Sequence, residues 1–185
     1  PTAAALPCTP TGITLQVPGT YPTIQAAINA ANPAGGDKIQ VAANTYTEQL
    51  SITKCVTIEG AGIGSTIIQA PATLAPSGVL GFTGNSIVEV RSNSYVTVTG
   101  VTITGPLPLL AYPNKTFGIF VAENATLDMS NSRVTAIHTS SGVDGAQNGT
   151  GIGVGSTAAN TIGTVVLNNV TVNDYQKNGM LVERT

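Results

Sequence analysis

Three stretches of this chain align without gaps: Val96–Ile103, Leu127–Val134 and Val165–Val172. Each carries apolar residues at its first and third positions, a Gly or Asn pivot at the fifth, and apolar or small residues at the sixth and eighth. Val56–Gly60 opens a fourth copy. Alternation on both sides of a pivot describes two short strands joined by a tight bend. The pivots Gly60, Gly100, Asn131 and Asn169 are residue types that tolerate a left-handed backbone. A second block recurs between these copies: Gly118–Val121, Gly151–Val154 and Gly179–Val182, with Ile87–Val90 and Lys38–Val41 as looser versions. A repeating unit of three short strands cannot bury its inner face alone, whereas stacked units share one continuous apolar core. The expected fold is therefore all-β, a right-handed parallel β-helix of four to five coils, in a single domain spanning 1–185.

The first part of the chain, 1–36, reads as an N-terminal strand and a capping α-helix, with the coils occupying 37–185. Ile24, Ala27, Ile28 and Ala31 fall on one helix face. Pro22 and Thr23 make a start signal, and Asn32-Pro33 followed by Gly35-Gly36 a stop. A single amphipathic helix ahead of a stack of coils is suited to covering its open end, where strand edges and core would otherwise be bare. The opposite end has no such device. Gly179–Thr185 begins a fresh coil, so the expectation is that the protein continues there, or that a homodimer forms through the open C-terminal coil.

Around these segments the chain resembles a known family. Tyr21–Ala31, Gly36–Val41, Asn44–Glu48 and Val56–Gly60 together look like the N-terminal cap and first coil of pectin lyase-like proteins, and pectin methylesterases carry a similar opening. The resemblance is specific over about residues 16–70. It implies the β-helix fold and a leaning towards polysaccharides, and it transfers no activity.

Composition narrows the function classes. Charged residues are only 9% of the chain, against about 25% in an average soluble domain. A net charge of −2 and the lack of any basic run leave no electrostatic footprint for nucleic acid or for an anionic membrane. No apolar stretch approaches the ~20 residues that span a bilayer. The surface must be neutral and polar, and 27 Thr and 14 Asn supply it. The two cysteines, Cys8 and Cys55, lack the spacing or extra ligands of a metal or redox pair and read as a disulfide. In the chain-entropy model, closing a loop of about 47 residues is worth about 4 kcal/mol. Such a bridge agrees with a secreted or cell-surface location.

By analogy with the family, a working site would lie on the outer face of the sheet built from the Gly-Ile-x-Val blocks. Alternation turns Ile119 and Val121 inward and Phe120 outward. The outward row is then expected to run Gln40, Glu89, Phe120, Gly153, Leu181. One carboxylate among five is poor material for acid–base chemistry, which needs two groups of separated pKa. Glu89 and Arg91, two apart on a strand, read as a solvated ion pair. The family's catalytic motifs are missing: there is no Gln-Asp-Thr, no Asp-Pro-His-Glu and no Asp-rich cluster for calcium. His138 and Asp144 share the polar loop 136–150, and Asp174 and Lys177 the next one. A His/Asp pair can act as a base with its orienter, but no Ser or Cys nucleophile has an activating context, and a lone loop histidine most simply lies at the surface. A Thr array of the ice-binding kind starts at Thr97 and Thr99 but breaks at Asp128 and Val166.

The sequence thus points to an extracellular domain that contacts polysaccharide, without a complete catalytic site, metal or cofactor. Phe120, Glu89, Arg91, His138 and Asp144 are its candidate carbohydrate-binding residues, and loops 70–86, 105–117 and 136–150 the expected groove wall. The alternatives are a pectin lyase-like lyase, esterase or hydrolase whose acids lie elsewhere, and a structural or adhesive scaffold.

Overall fold

The computed structural model describes residues 7–108, 115–139 and 148–184. After β1 (Thr14–Val17) and α1 (Ile24–Ala30), the chain repeatedly passes through three strand positions. The first pass is β2 (Asp37–Val41), β3 (Asn44–Thr47) and β4 (Leu50–Ile52); the second is β5 (Val56–Gly60), β6 (Thr66–Gln69) and β7 (Gly84–Val90). The third is β8 (Tyr95–Thr99), β9 (Thr102–Thr104) and β10 (Lys115–Val121). In the last two passes the first two positions merge into one long bent strand. These passes are β11 (Ala125–Thr135) with β12 (Thr150–Val154), and β13 (Gly163–Val172) with β14 (Asn178–Val182).

Each of these strands pairs in parallel with its counterpart one pass away. A five-stranded sheet runs β14-β12-β10-β7-β4. The other sheet has nine strands and two limbs, β1-β2-β5-β8 and β3-β6-β9, which meet on β11, with β13 beyond it. The protein is thus mostly β and its sheets are parallel. Lys38–Val41 was expected in the same sheet as the Gly-Ile-x-Val blocks; instead β2 belongs to the nine-stranded sheet, between β1 and β5.

Alternation becomes stacking. Ile39 pairs with Ile58, Ile58 with Val98 and Val98 with Met129, so like side chains sit on like along the core. In the five-stranded sheet the same holds for Ile52, Val90, Val121 and Val154. These residues are almost wholly buried in one cluster, and each contributes about 1.5–3 kcal/mol relative to exposure. Burial thins towards β14, where Met180 and Val182 are 40% and 51% exposed.

Helix α1 forms where its apolar face requires, with Ile24, Ala27 and Ile28 buried. Thr23 Oγ1 accepts from Ala26 N at 3.1 Å. From the β3–β4 turn, the two Glu48 oxygens accept from Ile24 N and Gln25 N at 3.0 and 2.9 Å. At the other end Lys54 Nζ donates to the carbonyls of Asn29 and Ala31 at 2.7 and 2.8 Å. An anion at the first turn and a cation at the last both complement the helix dipole. The Cys8–Cys55 disulfide is formed, with 5.9 Å between Cα atoms.

Three of the four pivots are left-handed as expected: Gly100 (φ +68°), Asn131 (φ +44°) and Asn169 (φ +53°). Gly60 is not. A Cβ there would lie 2.4 Å from the Gly100 carbonyl oxygen, so its glycine serves close approach between passes.

Candidate functional site

The outer face of the five-stranded sheet carries a row read directly from the register: Ser51, Glu89, Phe120, Gly153, Leu181. Ser51 replaces the expected Gln40, because β4 and not β2 begins this sheet. Just before the row, two consecutive residues face inward. Ile87 and Val88 are both core residues, and Gly118 with Ile119 repeats the arrangement. A Cβ on Gly118 would meet the Gly151 carbonyl oxygen at 2.7 Å and the core side chains Val134 and Ile137. The recurring glycine of the block is thus a matter of space between passes.

Phe120 points outward as expected, yet it is only 1% exposed. The loop 70–83 folds back over it, and the Phe82 ring stacks on Phe120 with centroids 4.2 Å apart and planes at 11°. Phe117 closes the trio, 5.3 Å from Phe120, and Val79 and Ala122 complete a second apolar cluster on the outside of the sheet. Gly153 leaves room for it, since a Cβ there would lie 2.5 Å from the Phe117 ring. Phe120 is therefore no open platform for a sugar ring; its face is already covered by Phe82.

The same loop overturns the reading of Glu89 and Arg91 as a solvated pair. The Glu89 side chain is 5% exposed and its Oε1 lies 3.0 Å from Arg91 Nε. Ser77 Oγ donates to Glu89 Oε2 and Gly78 N to Oε1. Gln49 fastens the loop's base: its Nε2 donates to Ala75 O and Ser86 O, and Ala75 N donates back to its Oε1 at 2.8 Å. Asn85 Nδ2 holds Leu74 O at 2.8 Å. The guanidinium of Arg91 also faces Glu123, 3.8 Å away, and lies against Gly78, where a Cβ would be 2.7 Å from Nη2. Between the loop, α1 and β4 remains a cleft of about 320 Å³ lined by Gln25, Gln49, Ser51, Gly78, Glu89 and Arg91 among others.

A second cleft, about 220 Å³, opens on the same sheet beyond the aromatic trio and includes Lys115, Thr150, Lys177, Asn178, Leu181 and Glu183 in its lining. Lys115 Nζ meets Glu183 Oε1 at 2.6 Å, and Thr157 N donates to Glu183 Oε2 at 3.0 Å. Burial works to raise the Glu183 carboxyl. Hydrogen bonds from Lys115, Thr157 N and Ser156, with the charge of Lys115, outweigh burial and hold its pKa below the ordinary carboxylate value.

His138 is partly buried, and Asp144, expected beside it, lies outside the described residues. The acid that His138 meets is Asp174, whose Oδ1 is 3.3 Å from Nε2, while Nδ1 lies 2.8 Å from Thr139 O. His138 lines neither cleft, so the structure joins Glu89 and Arg91 beside Phe120 but leaves His138 apart. Of the expected groove loops, 70–86 does border the face; much of 105–117 and of 136–150 falls outside the described residues. Sequence reasoning missed Gln25, Gln49, Ser51 and Lys115 as members of the clefts. Only the three-strand periodicity, counted from β4, could have brought Ser51 into the row.

Among the described residues no group of three or more His, Cys, Asp and Glu is placed to hold a metal, and no helix is long and apolar enough to cross a membrane. No protein-family model matches the chain, and no curated protein matches it.

Proposed function

We propose that this chain is a right-handed parallel β-helix of the pectin lyase-like kind, an extracellular domain that binds polysaccharide along the outer face of its five-stranded sheet. The observation that carries the reading is the alignment of two clefts on that one face, on either side of the Phe82–Phe117–Phe120 cluster. Five strands at about 4.8 Å spacing make a path of roughly 19 Å, long enough for a chain of sugars but not for one small molecule to need. The linings set the hydroxyls of Ser51, Thr116 and Thr150 and the amide of Asn178 among the charged groups of Arg91, Lys115 and Lys177, groups able to hydrogen-bond sugar hydroxyls. Repetition of modest contacts along a polymer gives affinity without a deep pocket. The cystine and the charge-poor surface suit an oxidising exterior.

Binding is favoured over turnover by the state of the carboxylates. A general acid on a glycan needs a pKa pushed upward, whereas Glu183 is shifted down by its partners. Glu89 accepts from Ser77 and Gly78 and faces Arg91, which leaves its oxygens engaged. The test is a glycan array with the purified chain, followed by hydrogen–deuterium exchange with the best ligand. Selective binding that slows exchange in β4, β7, β10, β12 and β14 is expected. Silence across the array, or protection confined to the nine-stranded sheet, would overturn the proposal.

A further inference from the structure

We infer that the cleft between α1, β4 and the 70–83 loop is a subsite for an uncharged sugar unit, so that the polymer bound carries neutral units at this end of the sheet and is not a pure polyuronate. The inference rests on the polysaccharide reading above and narrows it. The cation in the cleft, Arg91, is already matched: Glu89 lies 3.0 Å from Nε and Glu123 3.8 Å from Nη1. An incoming carboxylate would gain one guanidinium edge while meeting two fixed carboxylates, and like charges at short range disfavour it. A hydroxyl suffers no such conflict, because it can donate or accept.

The walls are preorganised for such a guest. Gln25 spends its amide on β4, accepting from Ser51 N at 2.8 Å and donating to Ser51 O at 3.2 Å, and Gln49 spends its own on the loop. These side chains are held and need little ordering on binding. What stays available is Ser51 Oγ and Arg91 Nη2, neither of which has a hydrogen-bond partner among the described residues. A donor edge and a hydroxyl across a neutral cleft of about 320 Å³ match the alternating donors and acceptors of a sugar's ring hydroxyls.

The experiment is affinity electrophoresis of the whole chain in gels containing a soluble β-glucan, a glucomannan or an arabinoxylan, against polygalacturonate and alginate. Two variants accompany it. Ser51→Tyr fills the cleft from an exposed position, so the fold is kept, and Thr97→Tyr makes the same change on the nine-stranded sheet. At least one neutral polymer should retard the protein, the acidic ones should not, and Ser51→Tyr should weaken binding at least tenfold while Thr97→Tyr leaves it alone. Arg91→Lys, which keeps the charge but loses the planar edge, should also weaken it. Preference for the acidic polymers, equal binding to both classes, or neutral binding indifferent to Ser51→Tyr would overturn this inference and leave the wider reading standing. No retardation by any polymer would remove both.

Discussion

Asn169 Nδ2 donates to Asn131 Oδ1 across 2.9 Å, and both residues hold positive φ at the bend of their long strands. The amide ladder thus bridges the last two passes at the position where each backbone is least able to accept another residue. A second such pair, Asn124 Nδ2 on Asn93 Oδ1 at 3.1 Å, sits one corner away, again with both residues left-handed. Asparagine serves two needs at once there: it tolerates the conformation, and its side chain joins neighbouring passes.

Separating those two needs is a matter of two substitutions. Asn131→Ala loses the ladder and also the side-chain amide whose local hydrogen bonding lets a residue with a Cβ sit in the left-handed region, for an expected loss of about 1.5–3 kcal/mol. Asn131→Gly loses only the ladder and should cost about 1 kcal/mol or less. Urea midpoints of both variants check this. If the glycine variant is the less stable of the two, backbone strain is not what the asparagine relieves.

The aromatic trio gives a larger effect. Phe120→Ala should destabilise by about 3–5 kcal/mol, as for a buried aromatic, because its ring is 1% exposed and stacked on Phe82. Phe82→Ala, at a partly exposed position, should cost less. The double variant should then show a coupling of about 0.5–1.5 kcal/mol, typical of an aromatic pair. Additive losses would mean that the loop's ring lies elsewhere in solution.

Glu89 ties that loop to the sheet, so loosening it should be visible at the loop's tip, where Leu80 is 90% exposed. Glu89→Gln removes the charge facing Arg91 and sets an amide against the Gly78 and Ser77 donors. A broken buried pair costs about 3–5 kcal/mol; with Arg91 partly solvated, about 2 kcal/mol is expected. Limited proteolysis should cut between residues 70 and 83 faster than in the parent chain. Unchanged cleavage would show that Gln49 and Asn85 suffice to hold the loop.

The stacked core and α1 were legible in the sequence because both are periodic: Ile39, Ile58 and Val98 alternate with polar neighbours, and Ile24, Ala27 and Ile28 recur at helical spacing. Periodicity does not say which sheet a strand joins. Lys38–Val41 matches the pattern of Ile87–Val90 yet pairs with β5, because the same apolar alternation suits any wall of the core. Parity turned Phe120 and Glu89 outward, as observed, but what covers an outward residue depends on the path of loop 70–83, which has no repeat to read. The partner of His138 was hidden for the same reason: the loop carrying Asp174 follows two strands later, and the β11–β13 pairing, continued by the parallel bridge between Ile137 and Tyr175, brings the two together.

The ion pair between Lys115 and Glu183 should make stability depend on acidity in a defined direction. Glu183 is held below its ordinary value of 4.5 in the folded protein, so the unfolded chain takes up its proton first as pH falls. The stabilisation is fully present above the unfolded pKa and is lost as pH drops through the lowered, folded one. The parent chain should therefore lose thermal stability relative to Glu183→Gln as pH is taken from about 5 to 3, and the two curves should run parallel from about pH 6 to 8. Tm measured at each pH for both proteins checks the sign. A gap that stays constant down to pH 3, or one that widens on acidification, would show that Lys115 does not hold the carboxylate in its charged form.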